Sequence, residues 1–154
     1  MKALAKYSIV LLLFVSISSC SDDDVNDVVI EASLTNQILL LVNNHRQSIG
    51  LENLTRNATA DNLAINHSKY MIAKDKISHD NFKARADKLF NEENARAVGE
   101  NVAARQKSAK KVMESWLNSS DHRDNIEGNF THIGISAIKN DAGHYYYTQL
   151  FLRL

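Results

Sequence analysis

The hydrophobic period of this chain changes in its C-terminal third, and that change limits the folds open to it. Thr131-His-Ile-Gly-Ile-Ser-Ala-Ile138 alternates apolar and polar residues, and Tyr145 to Leu152 is rich in aromatic and branched side chains. Asn140-Asp-Ala-Gly143 between them is turn chemistry, so the two runs read as a β-hairpin. Upstream the spacing is helical. Leu34 to Ser48 carries Ile38, Leu41, Val42 and His45 on one stripe, with Gly50 as a stop. Asn57 or Thr59 can cap a second helix to about Lys74, with Leu63, Asn66, His67, Tyr70 and Met71 on its stripe. A short helix is expected over Lys83 to Phe90, and another from an N-cap at Ser108 to Leu117, burying Val112, Met113 and Trp116. One more strand is expected near Val98 to Ala104. Helices followed by a small, mostly antiparallel sheet make an α+β domain.

The N-terminus reads as an export signal. Lys2 and Lys6 precede an uncharged apolar run, Tyr7 to Ile17, that is shorter than the roughly 20 residues a membrane span needs. Ile17-Ser-Ser-Cys20 then resembles a lipobox, in which the cysteine is acylated and becomes the mature N-terminus. Cys20 is the chain's single cysteine, so no intramolecular disulfide can form, and acylation would remove an exported free thiol. The expected organisation is a lipoprotein signal peptide at 1–19, a lipidated cysteine with an acidic tether at 20–30, and one folded domain at 31–154. That places the protein in a bacterial cell envelope, extracytoplasmic and held to a membrane through Cys20 by buried acyl chains. Asn53-Leu-Thr, Asn57-Ala-Thr and Asn129-Phe-Thr are then coincidental glycosylation motifs.

Charge excludes one partner class. The chain has 18 basic and 18 acidic residues; removing Lys2 and Lys6 leaves 16 basic residues against 18 acidic ones. A mature charge of −2 gives no footprint for nucleic acid.

The residues with chemistry sit on separate segments. Ile77-Ser-His79 and the stretch from Trp116 to Ile126 each supply an imidazole, and Gly99-Glu-Asn101 supplies a carboxylate. His79 and His122 can chelate one divalent ion such as zinc, with Glu100 or water completing the shell, or with Glu100 orienting one imidazole from behind. Two histidines alone make a weak, exchangeable site. The alternative is a pair of imidazoles that tie loops together across a cleft. Asn101 is expected to fix the turn of Glu100, and Arg123 and Asn125 to fix a loop after His122 through backbone carbonyls. His67 reads as a core histidine, and His45 and Arg46 as cations at a helix C-terminus. His132 and His144 have no nameable partner. Gln149 is a candidate strand cross-link, and Tyr145 and Tyr147 should share one face with Tyr146 on the other. Nothing resembles a nucleophile elbow or a phosphate-binding glycine loop.

Eight segments in order carry a family resemblance: Val42-Asn-Asn-His-Arg46 with Gly50-Leu51; Leu63 to Met71; Ile77-Ser-His79; Val98-Gly-Glu-Asn-Val-Ala103; Val112-Met-Glu-Ser-Trp-Leu-Asn-Ser119; His122-Arg-Asp-Asn-Ile126; Phe130-Thr-His-Ile-Gly-Ile135; and Tyr147-Thr-Gln-Leu-Phe151. Together they resemble the CAP superfamily of cysteine-rich secretory, antigen 5 and pathogenesis-related proteins (the SCP domain), in its disulfide-free bacterial branch. The resemblance implies a three-layer α-β-α sandwich with a small, mostly antiparallel central sheet. It also implies a cleft holding two histidines and two glutamates. His79, Glu100 and His122 match three of those positions; Ser119 stands where the second glutamate would be. The expected ligand cleft is therefore His79, Glu100, Ser119 and His122, supported by Asn101, Arg123 and Asn125. The implied function is a non-enzymatic module for a small-molecule, lipid, glycan or protein ligand. The alternative is a metal-assisted hydrolase or peptidase using His79, His122 and Glu100, which the serine at 119 weakens.

Overall fold

The computed structural model describes the backbone of residues 23–154 and side chains from Ser33 onward; the expected signal segment and Cys20 lie outside the described residues. The elements are α1 (Asp23–Ser48), β1 (Thr55–Arg56), α2 (Ala58–Lys74), α3 (Phe82–Glu92), β2 (Ala97–Ala104), α4 (Ala109–Leu117), α5 (Ser120–Glu127), β3 (His132–Lys139) and β4 (Tyr145–Arg153). Among the described residues no helix is long and apolar enough to cross a membrane.

Local chemistry sets the boundaries. In α1 the stripe Leu34, Ile38, Val42, Arg46 is buried, and Gly50 at φ +78° turns the chain away. The helix begins at Asp23, inside the stretch whose composition reads as a tether, rather than at Leu34. Asn57 caps α2 by accepting the Ala60 amide at 2.8 Å, and Ser108 caps α4 by accepting the Lys111 amide at 3.2 Å. The expected hairpin forms, with β3 and β4 antiparallel and Gly143 at φ +77° in the turn.

The sheet order is β1-β3-β4-β2, with the β1–β3 pair parallel and the other two antiparallel. One face carries Tyr147 and Phe151 of β4 and packs against α1 and α4 around Ile38, Val42, Val112 and Trp116. The other face carries Leu150 and Leu152, which pack against Ala60 and Ala64 of α2 and Leu89 of α3. Tyr146 on that same face meets Met71 and Val102. The molecule is thus the expected three-layer sandwich, with Tyr145 and Tyr147 on one face and Tyr146 on the other.

The buried stripe of α2 keeps His67 and Met71 of the expected one and otherwise differs. Ala60, Ala64, His67, Ser68 and Met71 face the sheet, whereas Leu63 and Tyr70 lie at its margin. Small residues let α2 lie close on β3: a Cβ at Gly134 would sit 2.2 Å from the Ala60 carbonyl carbon. Ser68 then bonds Ser136 at 2.6 Å and Thr148 at 2.9 Å, cross-linking helix and sheet.

Candidate functional site

Adjacent residues of a strand point to opposite faces, and β2 uses this to build two walls from one dipeptide. Glu100 points toward α3 and Asn101 toward α5. The Glu100 side chain is 1% exposed, yet it is fully engaged. Arg85 of α3 donates Nε to Oε2 at 2.7 Å and Nη2 to Oε1 at 2.8 Å, a bidentate pair. His79 donates Nδ1–H to Oε1 at 2.8 Å, a hydrogen placement fixed by the acceptor-only carboxylate. The Nε2 atom of His79 is therefore left for the cleft. Arg85 also donates Nη1 to the Asp80 carbonyl at 2.8 Å, which ties down the loop that carries His79.

The second wall hangs from Asn101. Its Nδ2 donates to the His122 carbonyl at 3.0 Å and to Gln149 Oε1 at 3.1 Å, the strand cross-link expected of Gln149. Asn125 donates to Asn101 Oδ1 at 2.9 Å and to the Glu100 carbonyl at 3.2 Å. Gly99 makes room for this: a Cβ there would lie 2.5 Å from Asn125 Oδ1. The stretch after Ser119 is the helix α5, not the expected loop, and Asn101 holds that helix instead of a turn at Glu100. Arg123 does reach a backbone carbonyl, that of Leu117, at 3.1 Å.

Between the walls lies a cavity of about 330 Å³, lined mainly by Ile77, His79, Val102, Ala104, Trp116 and His122. The structure thus brings His79 and His122 onto one hollow, with Glu100 beneath His79. Ser119, expected in the cleft, is instead the N-cap residue of α5 and does not line the cavity; Ser115, on α4, does. Among the described residues no carboxylate lines the hollow. Burial holds the His122 imidazole below its ordinary pKa, and His79 nearby pushes it the same way.

Two participants escape the sequence reading. Arg85 was one cation on a short amphipathic helix, and only the fold shows that it meets Glu100. His67, expected to be core, is indeed 3% exposed, but it also stands beside the site. Its Nε2 donates to the Ser78 carbonyl at 2.8 Å and lies 3.9 Å from Glu100 Oε1. His45 pairs with Glu127 at 2.9 Å, and buried Arg46 donates to the carbonyls of Glu52, Ile126, Gly128 and Phe130. Both are structural, as their helix-end position predicts.

Family membership follows from this arrangement and from comparison with known proteins. The chain belongs to the cysteine-rich secretory protein family. The family's CAP model matches residues 39–151. The CAP domain here is 32% identical over 122 residues to YkwD of Bacillus subtilis, covering 75% of this chain and 46% of that protein. A Bacillus anthracis extracellular protein containing an SCP domain superposes with a TM-score of 0.72 at 30% identity, over 89% of this chain and 45% of that one. An outer surface protein of Borrelia burgdorferi shares the fold at 19% identity, with a TM-score of 0.68 over 75% and 89% of the two chains. This CAP domain spans about half the length of YkwD.

Among the described residues no three of His, Cys, Asp or Glu converge as an ion site. The Glu100 oxygens are already taken by Arg85 and His79. The donors present therefore fit only a two-imidazole site, with Glu100 as the carboxylate that orients His79 from behind.

Proposed function

We propose that this CAP domain is a non-enzymatic extracytoplasmic binding module. It is held to a bacterial envelope membrane through acylated Cys20, and its ligand enters the hollow between His79 and His122. The observation that carries the binding reading is the state of Glu100. The hydrolase reading casts Glu100 as general base, and a general base must lie within hydrogen-bond reach of the proton it removes. Glu100 is buried, clamped by Arg85 and bonded to His79, and it does not line the hollow. The apolar walls and two imidazoles favour capture over hydrolysis. A divalent ion held weakly by the two imidazoles is compatible with this reading and would supply one more point of ligand attachment. The envelope location is supported by the extracellular relative from Bacillus anthracis and by the lipobox-like Ile17-Ser-Ser-Cys20.

The test is turnover. Mature protein incubated with zinc and a panel of peptide and ester substrates should release no product. Zinc-dependent hydrolysis that Glu100→Gln abolishes would replace this reading with the hydrolase one. Zinc titration by calorimetry should give weak binding near neutral pH, less in mild acid where imidazoles protonate, and none in a His79→Ala/His122→Ala variant.

A further inference from the structure

The hollow exposes an unfinished edge of the sheet. β2 is an edge strand, and its register with β4 is uniform from Ala97↔Arg153 to Ala104↔Tyr146. Arg105, one residue beyond, donates its amide to the Tyr145 carbonyl at 2.7 Å. In an antiparallel pair, hydrogen-bonded and non-bonded positions alternate. The odd residues of β2 therefore bond β4, and the backbone groups of Glu100, Val102 and Ala104 point away from the sheet.

Side chains confirm that direction and close part of the edge. The Glu100 carbonyl accepts from Asn125 Nδ2 at 3.2 Å, and the Val102 carbonyl accepts from Trp116 Nε1 at 3.3 Å. Beyond these two caps the edge is open. Among the described residues no hydrogen bond reaches the Val102 amide, the Ala104 amide or the Ala104 carbonyl. Val102, Ala103 and Ala104 all line the hollow. A second unmet group lies beside them: Gln106 Oε1 is buried without a partner, while its amide nitrogen is held by Ser115 at 3.3 Å and its backbone carbonyl by Tyr147 Oη at 2.6 Å. Unpaired backbone groups on a sheltered edge are complementary to another backbone.

We propose that the ligand of the hollow is an extended peptide segment, bound by strand addition to β2 at Val102 and Ala104. This rests on the reading of the hollow as a binding site and names its ligand class. Ala104 offers both its amide and its carbonyl, and Val102 offers an amide. Gln106 Oε1 takes a further N–H or O–H from the segment. Successive side chains of the added strand alternate between two sides. One lies toward His79 and Ile77, on the Glu100 face of β2; the other lies toward Trp116 and His122, on the Asn101 face. The two imidazoles thus read neighbouring side chains of a single strand.

The experiment is amide hydrogen exchange and nitrogen–proton correlation NMR on the mature chain. The probes are a pool of capped random pentapeptides and the same pool N-methylated at every residue. The unmethylated pool should slow exchange at the Val102 and Ala104 amides by about tenfold, and the methylated pool should not. Ala104→Pro removes an outward amide at an edge position, where proline is tolerated. It should abolish the effect while leaving the remaining resonances in place. If Ala104→Pro does not fold, the pool comparison on the native chain decides alone. Strand addition is wrong if either pool shifts Trp116 and His122 signals without protecting the two amides; binding in the hollow then survives with another chemistry. No response anywhere in the hollow would overturn the peptide proposal, and retained binding of zinc or another small ligand there would keep the site itself. Equal protection by both pools would also overturn strand addition.

Discussion

Replacing Arg85 with methionine isolates the electrostatic centre of this domain. The wild-type pair is buried: the Glu100 side chain is 1% exposed and that of Arg85 is 9% exposed. Methionine keeps the unbranched packing volume but removes both hydrogen bonds to the carboxylate and the bond to the Asp80 carbonyl. Glu100 then keeps one side-chain hydrogen bond, from His79, with His67 Nε2 3.9 Å away. Breaking a buried ion pair by deleting one partner costs about 3–5 kcal/mol, because the remaining charge is uncompensated. The double variant Arg85→Met/Glu100→Gln leaves no buried charge and should recover at least about half of that loss, since replacing both partners is often near neutral. Urea denaturation of wild type and both variants measures both quantities. A single-variant cost below about 1 kcal/mol, or a double variant as unstable as the single one, would refute the reasoning. Glu100 would then not depend on Arg85.

Three further outcomes follow from the packing and the charges. Gly134→Ala places a Cβ 2.2–2.5 Å from the backbone of Ala60 and Asp61, which no side-chain rotation relieves, so thermal denaturation should show a loss of about 3 kcal/mol or more. Trp116→Ala removes a 1%-exposed indole set edge-on to Tyr147 at 6.3 Å, and chemical denaturation should show a loss of about 3–5 kcal/mol. A near-neutral result would place the ring outside the core. Burial, the largest influence, holds the His67 imidazole below its ordinary pKa, against the opposing pull of the Ser78 carbonyl and Glu100. The unfolded chain therefore binds the proton more readily than the native one. The stability this gives is present above about pH 6.5 and is lost as pH falls through that value toward the lowered native pKa, by at most about 1.4 kcal/mol per pH unit. His67→Gln should flatten the slope; an unchanged slope would assign it to other groups.

The fold was legible in the sequence because period, caps and turns agree with one another at most elements. Ser108 announced its helix through side-chain capping, Asn57 was one of two candidate caps for α2 and is the one used, and Asn140 to Gly143 announced the hairpin. α5 was not legible, because Ser-Asp-His-Arg-Asp-Asn-Ile-Glu has almost no apolar periodicity. It is held by Asn101 and by the burial of Ile126, and both are tertiary. β1 is two residues long and exists only because β3 offers it an edge. On α2 the helical period pointed to His67 and Met71, which are buried, and to Leu63 and Tyr70, which lie at the margin. Close approach to Gly134 instead favoured Ala60 and Ala64, a preference that depends on the partner surface. At the site, His79, Glu100 and His122 were legible from their segments. Arg85 and His67 were not, since a basic residue on a short helix and a histidine on an apolar stripe have ordinary structural explanations until the carboxylate between them is located.

The tripeptide Gly99-Glu100-Asn101 is what makes two distant histidines into one site. Glu100 fixes the ring at position 79 through its side chain, and Asn101 fixes the backbone at position 122 through its own. Both do so because neighbouring strand residues face opposite layers. A one-residue slip of β2 against β4 would exchange these faces. It would drive the carboxylate toward α5, where Asn125 waits with a neutral amide, and the amide toward the Arg85 guanidinium. The buried charge and its counter-charge would then be separated by the thickness of the sheet. The charge pair at Glu100 therefore selects the register, and the register places the His79 loop and the His122 helix on the same hollow. In the proposed binding module Glu100 is an architectural carboxylate, and the chemistry offered to a ligand is what the clamp leaves free: the outward imidazole nitrogen of His79, the ring of His122 and the backbone edge between them.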